Sequence, residues 1–482
     1  MAQVSGAYIF GYNQGIVSGI STPLINNTYF PYSTQSTQSW LRGVLTCVLL
    51  VGGMCGSFIG VPLASRVGIR ATLFITGIIN IVFCVLLATL HSFVSILVCR
   101  GILGISCGMS GSVCPLYNVL VVPPAKRGRY GCVFQISVVT SIMVAFIVNY
   151  VFNINNTQSL HVWNWHTQFG LGAIGGLFLC ITAILAPPVT EQHKQTRASA
   201  PTTTTQATNT STDETADHID ITIDDQQQTE DKLNDDTPSP NNTNPATLID
   251  LFITAPGRTC LTLSLILATA QQLTGVNVFI FYGVTIFQQV NKYTNPLLLV
   301  FTMIGIWNCV SSVGSYFVVD RYGRRPVMLS ALSLMSLASL FMAIGGYTTI
   351  YALSYIGVYL FLLGYEIGPG CLFFLLAAEL FHIIDAQYSD ISLQFANGVA
   401  WLFNILITLF FPVVLNAIGP GNTFILLFCI GLVSLLCTYW KLPETKHIEL
   451  IIRNDTRNHE STTTESASST ASPTSYQSIN HT

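Results

Sequence analysis

The chain has 482 residues, of which 50% are hydrophobic and 9% are charged. Soluble proteins carry about 25% charged residues, and so few charges cannot cover a water-exposed surface. The composition therefore excludes a soluble globular protein and indicates an integral membrane protein.

Twelve apolar stretches are long enough to cross a bilayer as helices of about 20 residues. Their apolar runs do not alternate with polar residues as the strands of a membrane barrel do. The sequence therefore predicts an all-α membrane protein, with six spans in residues 1–189 and six in residues 251–447. The predicted spans are residues 2–21, 40–63, 71–91, 95–121, 130–152, 166–187, 258–290, 296–319, 326–346, 351–380, 391–416 and 421–441.

The acidic residues are concentrated between the two halves. Residues 1–190 contain no Asp or Glu, whereas residues 191–250 hold 12 of the 22 acidic residues and three basic ones. This segment is rich in Thr, Asn, Gln, Asp and Ser and has too few apolar residues to form a core. It predicts a disordered linker over residues 190–250, and the Ser/Thr-rich residues 448–482 predict a disordered tail.

The basic residues set the predicted orientation. With a cytoplasmic N-terminus, 16 of the 19 Lys and Arg residues fall in cytoplasmic segments, as the positive-inside rule requires. We therefore expect both termini, the linker and the tail to be cytoplasmic. The sequons at Asn26 and Asn155 then lie on the outer side and are candidate glycosylation sites.

The tenth span carries the only acids inside the predicted spans, Glu366 and Glu379. A carboxylate within the membrane is costly and usually faces a cavity or a partner. Glu366 precedes Gly368-Pro369-Gly370, which should kink the helix and free backbone carbonyls. We interpret the segment as the lining of a cavity, and the alternative is a carboxyl group satisfied by a neighbouring helix.

The seventh span carries Gln271-Gln272-Leu-Thr-Gly275-Val-Asn277, with three amides around a glycine. An amide offers both donors and an acceptor, as a sugar hydroxyl does, so these side chains suit a neutral polyol better than a charged substrate. A single amide in a membrane span often serves only helix packing. The prediction therefore rests on convergence with further amides in the fifth, eighth and eleventh spans, Gln135, Asn308 and Asn397.

Both halves resemble the sugar porter branch of the major facilitator superfamily, and within it the facilitative glucose transporters. In the C-terminal half the matching motifs are Gln271 to Asn277, Asp320-Arg-Tyr-Gly-Arg-Arg325, Glu366-Ile-Gly-Pro-Gly370 and Pro443-Glu-Thr-Lys446. In the N-terminal half they are Phe10-Gly-Tyr-Asn-Gln-Gly15 and the spacing of Arg100, Arg127-Gly128 and Gln135. The resemblance implies the major facilitator fold and sugar transport by alternating access, without a cofactor or a metal.

The resemblance also implies roles for individual residues. The substrate-binding set is Gln135, Gln271, Gln272, Asn277, Asn308, Glu366, Phe374 and Asn397, with Phe374 where many relatives have Trp. The gating set is Asn13, Arg100, Phe281, Tyr282, Gly368, Pro369 and Gly370. A cytoplasmic ion-pair clasp between the halves is expected from Arg66, Arg127, Asp320, Arg321, Arg324, Arg325 and Glu379.

Three departures from the family pattern bear on function. Leu120 and Ala386 replace a Glu and an Arg of the family's clasp, so we expect a weaker clasp in which neither charge is stranded. Asn13 replaces the first-span Asp to which proton symport is linked in the family, and an amide cannot titrate. Facilitated diffusion of a hexose, with glucose foremost, is therefore the preferred interpretation.

Two other functions stay open, a proton-coupled sugar or polyol symporter and a sugar sensor that binds without transport. An enzyme is not expected, because the sequence contains no nucleophile–base set, metal-ligand cluster or phosphate-binding glycine loop. The expected partners are a small-molecule sugar and the lipid bilayer, with no nucleic acid, and the oligomeric state cannot be read from the sequence. The outer sequon favours the plasma membrane.

Overall fold

The computed structural model describes residues 1–121, 127–153, 163–186, 249–290, 295–348, 350–384 and 386–444. Regular structure within these ranges is helical, and none of them contains a strand, as the sequence predicts. Most of the predicted linker, the predicted tail and the sequon at Asn155 lie outside the described residues.

Ten helical stretches of the described residues are long and apolar enough to cross a membrane. The first predicted span is not among them; it consists of Ala2–Gly15, Val17–Pro23 and a π-helical turn, Leu24–Tyr29. The helix Ala386–Lys441 has 56 residues, about 84 Å at 1.5 Å per residue, against a hydrocarbon core of about 30 Å. Gly419 within it has φ 78° and ψ 169°, so two helices meet there and the twelve predicted spans are accounted for.

The other spans are single helices or pairs of helices. In the N-terminal half, span 2 is Gln35–Val67, span 3 is Ile69–Thr89, span 4 is Phe93–Val121, span 5 is Arg127–Asn153, and span 6 combines Trp163–Gly170 and Ala173–Leu185. After the short helix Asp250–Ile253, span 7 combines Ala255–Ala268 and Val276–Val290, span 8 combines Pro296–Leu299 and Trp307–Tyr322, span 9 is Arg324–Thr348, and span 10 combines Tyr351–Tyr365 and Cys371–Ile384. Spans 11 and 12 precede and follow Gly419.

Three spans of the C-terminal half are interrupted by π-helical turns. These turns are Thr269–Leu273 in span 7, Val300–Ile306 in span 8 and Glu366–Gly370 in span 10. Such turns occur frequently at functional sites. The turn in span 10 contains Pro369, which lacks an N–H group for the helical hydrogen bonds, so the expected disruption at residues 368–370 takes the form of a π-helical turn.

Close backbone contacts hold the helices together within and between the halves. A Cβ atom at Gly52 on span 2 would lie 1.9 Å from the carbonyl oxygen of Gly101 on span 4. A Cβ atom at Gly43 on span 2 would lie 2.5 Å from the carbonyl oxygen of Leu409 on span 11. Small residues permit this approach between membrane helices, and span 2 thereby joins the two halves.

Candidate functional site

A buried carboxyl group connects the two halves. Glu366 begins the π-helical turn of span 10 and is 1% exposed. Gln135 on span 5 donates its Nε2 to Oε2 of Glu366 at 3.5 Å. The side chains of Asn308 and Ser312 on span 8 lie beside the same carboxyl group. Side chains from spans 5, 8 and 10 therefore surround one polar centre.

Span 7 places its amides at the junction between its two helices. Its π-helical turn carries Gln271 and Gln272, and Gly275 follows at φ 101°, a left-handed conformation that favours glycine. Asn277 donates its Nδ2 to Oε1 of Gln272 at 2.7 Å. This turn contacts the π-helical turn of span 10, so the amides of span 7 lie in the same region as Glu366.

Span 8 adds buried polar atoms that have no hydrogen-bond partner among the described residues. These atoms are Oδ1 of Asn308 and the hydroxyl oxygen of Ser311. A buried polar group without a partner costs about 1–3 kcal/mol. A hydroxylated, uncharged molecule offers the donors and acceptors that would satisfy such atoms, so the chemistry of this region matches a polyol.

For the other members of the predicted binding set, the described structure shows no hydrogen bond to Glu366. Asn397 is half-buried on span 11 and forms no hydrogen bond with the other amides of the set within the described structure. Phe374 lies on the helix Cys371–Ile384, but its side chain is outside the described part. Asn404, which motif reasoning misses, is buried on span 11 and accepts a hydrogen bond from Thr408 Oγ1 at 3.2 Å.

The aromatic pair of span 7, Phe281 and Tyr282, is buried against both halves. Tyr282 donates its hydroxyl to the Thr408 carbonyl oxygen at 2.7 Å, and its ring stacks on Phe411 with centroids 5.7 Å apart. Thr46 on span 2 lies beside the same hydroxyl. Tyr282 therefore links span 7 to span 11 of its own half and to span 2 of the other.

Arg100 is a buried cation in a half that contains no acid before residue 191. Its Nε donates to the Leu45 carbonyl oxygen at 3.0 Å, and its guanidinium lies 5.6 Å from the centre of the Phe169 ring. Its Nη1 and Nη2 atoms have no partner in the part of the chain that the structure describes. Asn13 donates its Nδ2 to the Ile9 carbonyl oxygen of its own helix at 2.8 Å.

The motif between spans 8 and 9 forms an ion pair and a helix cap. Nη2 of Arg324 lies 3.2 Å from Oε1 of Glu379. The Glu444 carboxylate accepts the backbone N–H groups of Arg324 and Arg325 at 3.1 and 3.2 Å, and a carboxylate stabilises the N-terminus of a helix. These contacts join spans 9, 10 and 12 within one half. The Glu444 cap was missed by sequence reasoning, although the Pro443-Glu-Thr motif contains the signal for it.

The remaining residues of the predicted clasp are exposed or outside the described part. Arg66 is exposed, whereas the side chains of Arg127, Asp320 and Arg321 lie outside the described positions. Arg70, which was not predicted to contribute, donates to the carbonyl oxygens of Ala183 and Ile184 at the end of span 6. Contact between the halves through the clasp therefore stays a prediction.

Known proteins resemble this chain over most of its length. The probable metabolite transport protein CsbC of Bacillus subtilis is 27% identical, covering 92% of this chain and 90% of that protein. The facilitated glucose transporter member 2 of solute carrier family 2 from Sus scrofa is also 27% identical, covering 83% of this chain and 74% of that protein. A crystal structure of a D-xylose-proton symporter matches with a TM-score of 0.71 and 19% identity, covering 92% of this chain and 97% of that chain.

The solved structure shares the major facilitator fold, in agreement with the predicted fold class. The family model described as sugar (and other) transporter matches residues 1–454, a range that contains both halves and the linker between them. The chain therefore belongs to the sugar (and other) transporter family, and it is a multi-pass membrane protein.

Proposed function

We propose that the protein is a facilitative uniporter of a hexose, with glucose foremost, that works by alternating access in the plasma membrane. The observation that carries this proposal is the polar centre between the halves, in which amides of spans 5 and 8 lie beside the buried Glu366 and the amide-bearing turn of span 7 contacts the turn that holds Glu366. Most of its groups are neutral donors and acceptors, which suit hydroxyls. The relatedness to a facilitated glucose transporter supports the same substrate class.

The contacts suggest how binding is coupled to movement of the halves. Gln135 belongs to the N-terminal half and Glu366 to the C-terminal half, and their hydrogen bond is long at 3.5 Å. A sugar bound between them can replace this weak contact with its own hydrogen bonds to both halves. Alternating access would then separate Tyr282 from Thr46 on span 2 of the other half, which would open this end of the bundle.

Uniport rather than symport is supported by the N-terminal half. Asn13 has an amide side chain, which cannot bind and release a proton. Residues 1–190 contain no Asp or Glu that could do so near Arg100. Transport would then be driven by the sugar gradient alone.

Proton-coupled symport is the second candidate, and Glu366 is the observation that favours it. A carboxyl group that is 1% exposed at the polar centre is the kind of group that carries protons in transporters. A structural neighbour is a D-xylose-proton symporter. In this case Glu366 would bind the proton in the C-terminal half, whereas Asn13 and Arg100 lie in the N-terminal half.

The proposed binding site is tested by labelled-glucose uptake in a host without hexose transport. We expect Gln271→Ala to lower uptake about 5- to 100-fold, because one lost partner of a buried polar group costs about 1–3 kcal/mol. Gln288→Ala is the matched control, since Gln288 lies on the same span but is exposed. Equal uptake by the two variants at equal expression would contradict the site, and glucose binding without any uptake would indicate the sensor.

A further inference from the structure

The first span carries a buried amide, Gln14, that is not among the predicted site residues. Its side chain is 4% exposed, and it forms no hydrogen bond within the part of the chain that the structure describes. Both amide atoms keep some accessible surface. A polar side chain that joins membrane helices does so by hydrogen-bonding to a neighbour. Because Gln14 has no such partner, helix packing does not explain an amide at this position.

Two faces of span 1 pack inside the N-terminal half. Cβ atoms at Gly11 and Gly15 would collide with residues of span 5, so these glycines lie against that span. The Tyr12 hydroxyl donates to the Gln168 carbonyl oxygen at 2.7 Å, so this face lies against span 6. Neither face includes Gln14.

Phe10, one helical turn before Gln14, faces the other half. Its ring packs edge-on against Trp401 of span 11, with centroids 6.0 Å apart. Residues four apart lie on the same face of a helix, so Gln14 lies on the face of span 1 that is turned toward the C-terminal half. The helices Ala2–Gly15 and Val17–Pro23 both contact the helix Val276–Val290 of span 7. The contact with span 7 therefore includes the end of the first helix that carries Gln14.

The preceding residue, Asn13, is directed into the N-terminal half instead. Its Nδ2 donates to the Ile9 carbonyl oxygen at 2.8 Å, and a Cβ atom at Gly172 on span 6 would lie 3.3 Å from its Oδ1. Asn13 is therefore held among helices of its own half. Gln14 is the amide of this segment that stays available to a ligand between the halves.

An available amide on this face supplements the N-terminal side of the predicted binding set. That set takes only Gln135 from the N-terminal half, and Gln135 already donates to Glu366. A ligand shifts a conformational equilibrium only through different affinities for the two states. A substrate held almost entirely by one half has few contacts that change when the halves move. A second amide from the N-terminal half supplies such a contact.

We propose that Gln14 is a substrate-binding residue that recognises one hydroxyl group of the sugar from the N-terminal half. The inference rests on the proposed function and adds a specificity-determining residue to it. The amide donates through Nε2 and accepts through Oε1, so it meets both needs of a hydroxyl. A sugar that lacks this hydroxyl leaves the buried amide unpaired, and the site therefore discriminates against it.

The test is competition of the monodeoxy derivatives of glucose against labelled-glucose uptake in a host without hexose transport. In the wild type, the derivative that lacks the hydroxyl bound by Gln14 should compete about 2- to 10-fold more weakly than glucose. Gln14→Leu and Gln14→Met remove the amide and keep a side chain of similar size. In both variants the difference between glucose and that derivative should disappear, because glucose loses the same hydrogen bond.

Asn80→Leu is the matched control. Asn80 is also a buried amide without a hydrogen-bond partner among the described residues, but a Cβ atom at Gly176 on span 6 would lie 2.9 Å from its Oδ1. It lies between spans 3 and 6 of the N-terminal half, so its loss should leave the preference among the derivatives unchanged.

Two results would overturn the inference in different ways. A preference among the derivatives that both Gln14 variants share with the wild type would show that this amide does not bind the sugar, and it would leave the proposed function intact. A wild type that takes up no glucose would contradict the proposed function itself and the inference with it. Where a variant takes up too little glucose, displacement of labelled glucose from the purified full-length protein gives the same comparison.

Discussion

At the scale of residues, Glu366 can serve through its hydrogen bonds or through its charge. Gln135 donates to its Oε2 atom, while Asn308 and Ser312 lie beside it. A uniporter needs only a polar acceptor at this position, whereas a symporter that uses this carboxyl group needs a group that binds a proton. The two functions therefore predict different results for an amide at residue 366.

We expect Glu366→Gln to retain most of the glucose uptake, because glutamine keeps an acceptor oxygen for Gln135. Glu366→Ala should lower uptake about 5- to 100-fold, since a lost hydrogen bond to a buried group costs about 1–3 kcal/mol. Uptake of both variants is compared at equal expression. A loss in Glu366→Gln as large as that in Glu366→Ala would mean that the charge is required, and it would favour symport.

The sequence predicted the residue types of the polar centre better than their partners. The amides of span 7 were predicted from their clustering around Gly275, and the carboxyl group from its rarity in a span. The hydrogen bond between Gln135 and Glu366 joins residues far apart in the chain, so it depends on how the halves pack. Asn404 has no motif around it, and only its burial beside Thr408 reveals it.

At the scale of elements, the π-helical turns of spans 7 and 10 are what bring the polar groups together. Gly275 follows the first of them by two residues, at φ 101°, and a side chain in this conformation is strained. A Cβ atom there would also lie 3.2 Å from a methyl carbon of Leu427. The element therefore depends on a glycine at this position.

We expect Gly275→Ala to lower the free energy of unfolding by about 1–3 kcal/mol and to reduce glucose uptake, because the Gln272–Asn277 hydrogen bond straddles this residue. Gly314→Ala is the control, since Gly314 is helical and a Cβ atom there would meet nothing within 4 Å. Thermal unfolding in detergent compares the stability of the two variants, and labelled-glucose uptake compares their transport. Equal unfolding temperatures would show that the left-handed turn does not constrain span 7.

The spans themselves were predicted well, because their length and hydrophobicity are local properties of the chain. The position of each π-helical turn was not predicted, except that Gly368-Pro369-Gly370 indicated a disturbance in span 10. A π-helical turn depends on contacts with neighbouring helices as well as on its own residues. The Glu444 cap likewise requires the end of span 12 to reach the start of span 9, which no local pattern reveals.

At the scale of the whole molecule, the contacts of span 2 with spans 7 and 11 close one end of the bundle. The Tyr282 hydroxyl lies beside Thr46 on span 2 of the other half, while its hydrogen bond to Thr408 and its ring stacking on Phe411 hold span 7 to span 11. Removing the hydroxyl while keeping the ring weakens the closed arrangement without creating a cavity. The balance between closed and open states should then shift by the net value of one hydrogen bond, about 1 kcal/mol or a factor of about 5.

We therefore expect Tyr282→Phe to increase the open population at this end of the bundle. Spin labels at Gln35→Cys and Ala417→Cys, both exposed at the ends of spans 2 and 11, report the separation by electron–electron resonance in a background depleted of native cysteines. The long-distance component should grow in Tyr282→Phe and not in Tyr388→Phe, a buried tyrosine at the other end of span 11. An unchanged distance distribution would show that this hydroxyl does not control the gate.

The central claim is facilitated hexose transport without proton coupling. The most direct measurement is labelled-glucose uptake in a hexose-transport-null host with and without a protonophore. The account predicts uptake that stops at equal inner and outer concentrations and is unaffected by the protonophore. Accumulation above the outer concentration that the protonophore abolishes would contradict it and identify a symporter.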